Sequence, residues 1–517
     1  MQVISFILIA ICFWYTSATK ALTRAQQLSY HYDKYYKDIK KRWWFSFDHT
    51  ILYLCSSFLC ILFKQPTFYL LWMMCISFLL YRGEKQNNKR QTLQYTPRCI
   101  RLMITLYLCL LFTYLFLMNI CTRTIFIILT PILYYLPYGM ILMALKLIQP
   151  FEIMINRYYY DMAKEKLDQH QPIQKIGISG SAGKTSVKNI LYHCLKDEYQ
   201  VCATPYSYNT AMGISKTINE QLHPFHEIFI CECGIDHQNE MDDIVHLLEP
   251  NTVILTPIHN QHLATLKTRA IILKEKFKLA KALLKDDLLI VYGDDDAMRK
   301  ECENIQCTII YYGKNENNDF QYIVNQIDEN GTLFTIKHQD KTMTFQTKLY
   351  GEHAVMNICA IVAYLYQQEY SYEQLQQKIK TIPFTPHRLE KKVTKDYILL
   401  DDAYNANPLG AKFALEVLSK MQGKHLLITS GFVELGQEFI SAQEAFGIQA
   451  ASCCDEIILI GKQQCEPMIK AIQTTQYPMQ HLHLCSNMNE ALELVKTLVD
   501  EQSYVLIEND LPDHYLS

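Results

Sequence analysis

Gly177-Ile178-Ser179-Gly180-Ser181-Ala182-Gly183-Lys184-Thr185-Ser186 is the stretch on which the fold turns. A β-rich run enters it, and a helical run, Val187 to Leu195, leaves it. Glycines let a backbone approach an anion closely, and the N–H groups of such a loop and of the helix start behind it point at that anion. Lys184 adds a positive charge for the outer phosphates of a nucleotide, and Thr185 offers a hydroxyl to Mg²⁺. Gly180, Ser181, Ala182, Gly183, Lys184, Thr185 and Ser186 are therefore expected to bind a nucleoside triphosphate. Ile178 stands where the longer phosphate-loop pattern has its first glycine, so this is the short G-x-x-G-K-T form. The plain alternative is a glycine turn that caps a helix.

Outward from the loop, apolar runs alternate with helical patterns. Strands are predicted at 174–179, 227–233, 252–256 and 288–292, with helices over 185–196 and 269–285. A second alternation begins near 386, with strands at 397–401, 425–429, 456–460 and 503–508 and helices over 408–421, 438–452 and 489–499. Alternation of this kind argues for mostly parallel sheets with crossover helices. With 517 residues the chain is too long for one ordinary domain. It reads as a central α/β domain at 172–385 and a second α/β domain, Rossmann-like, at 386–517. The net charge of −3, with no basic stripe, gives no sign of a nucleic-acid partner. The 18 cysteines follow no framework spacing and fit buried thiols in a reducing compartment. Cys231 and Cys233, which flank Glu232, and the Cys453-Cys454 pair read as core residues rather than metal ligands.

Residues 1–150 differ in kind. Apolar runs at 3–19, 48–63, 67–81, 102–120 and 125–147 are candidate membrane spans, the second and third being short for a bilayer. The connections 20–47 and 82–101 are rich in Lys and Arg, whereas 64–66 and 121–124 hold only Lys64 and Arg123. This alternation predicts an all-α transmembrane region of about five helices, with the N-terminus outside and everything after residue 150 on the cytoplasmic side. The first run lacks a basic leader and reads as a retained anchor. Few charges lie inside the spans, so the region reads as an anchor against membrane lipid rather than an ion path. An amphipathic helix and linker at 151–171 would join it to the rest.

Polar residues beyond the loop extend the site. Glu232 ends the apolar strand 227–231, and a carboxylate at the carboxyl end of a parallel strand faces the nucleotide side of a sheet, where it can hold a metal. His262 follows the strand 252–256, and Lys276 lies in the next helix; singly, they would read as a structural histidine and a solvated lysine. Gly351-Glu352-His353-Ala354-Val355-Met356-Asn357, Pro386-His387-Arg388-Leu389-Glu390 and Asp401-Asp402-Ala403-Tyr404-Asn405-Ala406-Asn407-Pro408 follow in order. Taken together over residues 170 to 517, these strings resemble the Mur ligase superfamily, ATP-dependent amide-forming enzymes of peptidoglycan synthesis. The D-x-Y-N-A-N-P string, and more weakly Gly431-Phe432-Val433-Glu434-Leu435-Gly436, resemble the MurF type, which adds D-alanyl-D-alanine to a UDP-N-acetylmuramoyl tripeptide.

The resemblance implies roles. Thr185 would hold one Mg²⁺, and Glu232, His262 and Lys276 a second, with Lys276 carrying a CO₂-derived carbamate. Where the family often has Glu two residues after that lysine, this chain has Lys278. Asn357 would meet the adenine, Arg388 the γ-phosphate and Asp402 the ribose. Asn209 and Thr210, in the loop after the phosphate-loop helix, and Asn405 and Asn407 would meet the substrates. Lys184, Lys276 and Arg388 would carry the catalysis, and the C-terminal domain would close on the central one. The implied partners are ATP, a peptidoglycan precursor and a small amine or dipeptide. Three other readings stand beside this one: a folylpolyglutamate-synthase-like ligase, a membrane transport ATPase, and a non-catalytic ATP-binding regulator of wall synthesis. The D-x-Y-N-A-N-P string argues against the first, and the sparse charge in the spans against the second.

Overall fold

The computed structural model describes residues 2–42, 93–122, 133, 135–170, 172–235, 237–258, 268–403, 408–433, 435 and 438–509. The chain divides into two units, Met1–Tyr158 and Tyr159–Ser517.

The first unit is helical: α1 (Gln2–Gln27), α2 (Tyr32–Arg42), α3 (Pro97–Ile120) and the start of α4 (Leu136–Gln169). Ala18, Ala21 and Ala25 put small side chains on one face of α1, where they pack in one cluster with Leu102, Leu106 and Leu110 of α3. The Trp14 indole N–H donates to the Leu133 carbonyl at 2.8 Å, which removes its one polar group from apolar surroundings. Arg101 of α3 binds Glu152 of α4 with two hydrogen bonds of 2.6 and 2.9 Å. Ile104, Leu108, Phe112, Phe116 and Ile120, spaced by four along α3, leave an exposed apolar stripe. Pro97–Leu117 and Leu136–Gln169 are, among the described residues, the two helices long and apolar enough to cross a membrane, with mean hydropathy of 2.1 and 1.4. The expected span 3–19 falls within α1, and 102–120 within α3. Those at 48–63 and 67–81 lie outside the described residues, as does part of 125–147. The amphipathic helix expected to open the segment 151–171 is not separate: α4 runs unbroken through Pro150 to Gln169.

The second unit holds two sheets. The larger has nine strands in the order β2-β3-β1-β4-β5-β6-β7-β8-β9. They are β1 (Gln174–Ser179), β2 (Val201–Ala203), β3 (Ile228–Glu232), β4 (Thr252–Leu255), β5 (Leu288–Tyr292), β6 (Thr308–Gly313), β7 (Phe320–Asp328), β8 (Gly331–His338) and β9 (Lys341–Thr347). All neighbours up to β7 pair in parallel. The last two pairings are antiparallel. The central strands are short, apolar and buried on both faces, as a doubly covered parallel sheet requires. One face is covered by α5 (Lys184–Leu195) and α10 (Gly351–Gln367). Residues 355–365 of α10 are all buried and, Asn357 apart, apolar or aromatic, so this helix serves as an internal layer. The other face carries α6 (Ala211–Gln221), α7 (Glu240–Leu248), α8 (Arg269–Lys281) and α9 (Asp296–Cys302). β1 lies between β3 and β4, where the strand order reverses, so the loop after it opens into the crevice at that switch point.

The smaller sheet orders six strands as β10-β11-β15-β12-β13-β14. They are β10 (Glu390–Val393), β11 (Ile398–Asp402), β12 (His425–Thr429), β13 (Glu456–Ile460), β14 (Leu482–Cys485) and β15 (Tyr504–Glu508). Only the β10–β11 pair is antiparallel. The intervening helices include α11 (Pro408–Leu418), α12 (Phe439–Cys453) and α13 (Met488–Leu498). β15 inserts between β11 and β12, which places the carboxyl end of the last strand, Glu508, directly across from Asp402.

Candidate active site

The phosphate loop joins β1 to α5, and its two glycines are required by their surroundings. Gly180 has φ +149°, and a Cβ there would lie 1.9 Å from Thr256 Oγ1 and 2.7 Å from the Thr256 carbonyl oxygen. Gly183 caps α5 at φ +83°, and a Cβ there would meet Asn357 Oδ1 at 2.4 Å. Thr256, just past β4, fastens the loop by donating to the Ala182 carbonyl at 2.5 Å, while the Ser181 N–H donates to Pro257 at 2.9 Å. Lys184 Nζ donates to the carbonyls of Gly180 and Ser181 at 2.7 and 3.3 Å, so its ammonium is held over the loop.

Glu232 ends β3 beside this loop and is buried. Its Oε1 accepts from the Thr185 hydroxyl at 3.2 Å and from the Asn209 amide at 3.3 Å, and its Oε2 pairs with Lys188 at 3.3 Å. The Thr185 hydroxyl and the Glu232 carboxylate, 3.2 Å apart, are an oxygen pair of the kind a hard divalent cation takes, while the Asn209 amide N–H steadies the carboxylate. Lys276, 1% exposed, donates from Nζ to the Gly180 carbonyl. As an ammonium it would repel a cation; only with an added carboxylate does it become a ligand. Lys278 does not disturb this arrangement. Two residues along α8 it pairs with Asp242 at 2.7 Å and Glu275 at 2.9 Å, on the side of α7. His262, Asn405 and Asn407 lie outside the described residues.

A cavity of about 350 Å³ joins the two α/β parts. Ser181 to Ser186, Asn209, Thr210, Glu232, Lys276 and Asn357 line it from one side, and Arg388, Asp402 and Glu508 from the other. Thr210 also caps α6, accepting from the Gly213 N–H at 3.3 Å. Asn357 is buried, and its Oδ1 has no donor among the described residues, which leaves an acceptor for a ligand N–H such as an adenine amine. Arg388 sits between His387 and Leu389, both in the left-handed region at φ 57° and 47°. Such backbone strain in non-glycine residues recurs at functional sites. Asp402 Oδ1 accepts the Leu389 N–H at 3.1 Å and so fixes the same turn. Burial raises the Asp402 pKa, and Arg388 opposes the rise. Glu508 is fully buried, and neither oxygen has a donor among the described residues. Burial and the Asp402 charge push its pKa well above the ordinary carboxylate range.

Lys188 and Glu508 were not among the residues singled out from sequence. Lys188 is one helical turn after Lys184, a spacing that places both on one face, and this is the signal that was legible. Glu508 ends the last predicted strand, the same position that marks Glu232. Cys231 and Cys233 are buried with sulfurs 3.8 Å apart, and burial drives the Cys231 thiol pKa well up, as befits core thiols. His387, Glu390 and Asp401 cluster closely enough to suggest a metal. Lys392 instead neutralises that cluster, lying 2.6 Å from Asp401 and 3.1 Å from Glu390.

Comparison with known proteins gives two family matches: the Mur ligase middle domain over residues 178–365, and the Mur ligase, glutamate ligase domain over 387–508. The UDP-N-acetylmuramoyl-tripeptide--D-alanyl-D-alanine ligase of Bacillus subtilis is 28% identical over 291 residues, 56% of this chain and 62% of that protein. The ligase of the same description from Escherichia coli is 25% identical over 343 residues, 66% of this chain and 74% of that protein. The chain thus spans about three-fifths of the Bacillus relative's length. Among solved structures, MurF from Acinetobacter baumannii superposes with a TM-score of 0.63 at 22% identity, covering 69% of this chain and 78% of that one. MurF from Thermotoga maritima in complex with ADP gives 0.61 at 21%, covering 70% and 81%. The two matched domains together take in more than half of the sequence and coincide with the two sheets that meet at the cavity; the chain belongs to the Mur ligase family.

Proposed function

We propose that this chain is an ATP-dependent, ADP-forming amide ligase of peptidoglycan precursor synthesis, most simply one that joins D-alanyl-D-alanine to a UDP-N-acetylmuramoyl tripeptide. The observation that carries the reading is the shared cavity. A phosphate loop, a strand-end carboxylate beside a hydroxyl, and an arginine and aspartate from a second domain all face one space of about 350 Å³.

A carboxylate resists attack by an amine because its carbon is shielded by delocalised negative charge. Transfer of the γ-phosphoryl group of ATP to the carboxylate oxygen makes an acyl phosphate. The amine then bonds to the carbonyl carbon, loses a proton, and phosphate leaves. The protein's part is to orient the groups and stabilise charge. Gly180 to Ser186 would cradle the phosphates with backbone N–H groups. Lys184 would leave the loop carbonyls it now binds for the outer phosphates. Arg388 would approach the γ-phosphate from the opposite wall, Asp402 would accept from the ribose, and Asn357 would face the adenine. Thr185 would hold one Mg²⁺, which supplies neutralising charge when bound; Glu232, His262 and a carbamylated Lys276 would hold a second. Asn209, Thr210, Asn405 and Asn407 would meet the acceptor and the amine.

The long apolar helices Pro97–Leu117 and Leu136–Gln169 support a membrane anchor at residues 1–150, and the Lys and Arg of the connections 20–47 and 82–101 support a cytoplasmic side for the parts at 172–385 and 386–517. Such an anchor favours, as a second reading, an acceptor linked to lipid at the inner leaflet.

The test is direct. Purified protein is incubated with Mg-ATP, bicarbonate, the UDP-linked tripeptide and D-alanyl-D-alanine, and the amide is sought by mass spectrometry. Lys184→Ala is expected to lower turnover by at least about 10²-fold. Product formation undiminished in that variant rejects the assignment. ATP binding without product in the wild type moves the proposal to the lipid-linked acceptor.

A further inference from the structure

Lys188 has two partners that belong to different elements. It lies on α5 with its side chain only 3% exposed, and it pairs with Glu232, whose side chain is 2% exposed, at 3.3 Å. Its ammonium also donates to the carbonyl of Tyr206. A buried ammonium is costly unless fully paired, and burial depresses this one while Glu232 opposes that effect. Tyr206 needs such a hold. Its backbone is left-handed at φ 47°, the residue is 83% exposed, and it begins the turn leading to Asn209 and Thr210. The same loop meets Glu232 three times: through Lys188, through the Asn209 amide at 3.3 Å, and through Thr204 Oγ1, which accepts the Glu232 N–H at 3.0 Å.

We propose that Lys188 is a positioning residue that ties the loop 204–210 to the Glu232 carboxylate, so that the acceptor-side loop and the metal-side carboxylate are seated together. The proposal rests on the nucleotide-ligase reading only for the identity of the cation. Glu232 Oε1 faces the Thr185 hydroxyl, where an oxygen-ligated cation fits, while Oε2 is occupied by the ammonium. A cation at Oε1 therefore feels Lys188 as a like charge. Removing that charge should strengthen cation binding and at the same time free the loop.

These opposite effects are the test, made on the full chain with Lys188→Met and Lys188→Gln. The first readout is the rate of chymotrypsin cleavage after Tyr206 and Tyr208 in ligand-free protein. The second is the Mg²⁺ concentration giving half of the ATP-dependent rise in melting temperature. Lys188→Met is expected to be cleaved about tenfold faster, because the loop loses the ammonium that holds the Tyr206 carbonyl. It should reach half-saturation at about three- to tenfold less Mg²⁺. Lys188→Gln, which keeps a donor for the Tyr206 carbonyl without the charge, should be cleaved near the wild-type rate and still need less Mg²⁺. A merely structural role would instead raise cleavage and the Mg²⁺ requirement together, and that result overturns the proposal. So does wild-type cleavage in Lys188→Met, or an unchanged Mg²⁺ requirement in Lys188→Gln if the methionine variant does not fold. Absence of any Mg-dependent stabilisation by ATP in the wild type removes the nucleotide reading, while the cleavage rates still decide the tether.

Discussion

Gly180 and Glu508 carry the most specific expectations for single residues. Gly180→Ala would place a methyl 1.9 Å from Thr256 Oγ1 on a backbone that L-residues seldom adopt. Stabilisation by Mg-ATP should be lost in this variant, read as the absence of a melting-temperature shift. Glu508 governs a pH effect whose sign follows from its raised pKa. A buried carboxyl of this kind holds its proton when folded and gives it up more readily when unfolded. Its contribution is therefore present below about pH 4 and is lost as pH rises toward the folded pKa. Glu508→Gln, which removes the titration at nearly constant volume, should be more stable than wild type at pH 8, with the gap closing toward pH 4. A gap independent of pH would mean that Glu508 does not titrate in this range. Asp401 and Glu456, held low by Lys392 and by His483 and His481 against the opposing effect of burial, contribute with the opposite sign, so the comparison is made between variant and wild type rather than on wild type alone.

Among the elements, α8 separates two lysines by function. Residues two apart on a helix face different ways, and here Lys276 lines the cavity while Lys278 pairs with Asp242 and Glu275 outside it. Lys278→Ala should change stability by less than about 1 kcal/mol, as partly exposed ion pairs do, and leave turnover within about twofold. Lys276→Ala should abolish turnover, and wild-type activity should rise on adding bicarbonate if a carbamate forms. Equal losses in both variants would break this division. The helix 269–281 and its lysines were legible from pattern; the side each lysine faces was settled by α7 packing beside it. The antiparallel strands β7 to β9 show the converse. Phe334, Ile336, Met343 and Phe345 alternate with less buried neighbours in a period of two, but these strands stand outside the strand–helix alternation that marks the rest of the sheet.

For the whole molecule, the exposed stripe on α3 and the apolar run of α4 predict that the chain floats with liposomes and resists alkaline extraction. Recovery in the aqueous phase would dismiss the anchor. The sequence by itself determined the local devices: the phosphate loop, the strand ends that carry Glu232 and Asp402, and the apolar runs. These rest on backbone geometry and periodicity within a dozen residues. The tertiary structure decided which charges meet. Insertion of β15 between β11 and β12 set Glu508 against Asp402, and the placing of β1 between β3 and β4 set Thr185 and Lys188 against Glu232. Strand order depends on pairing between segments far apart in the chain, and no local pattern encodes it.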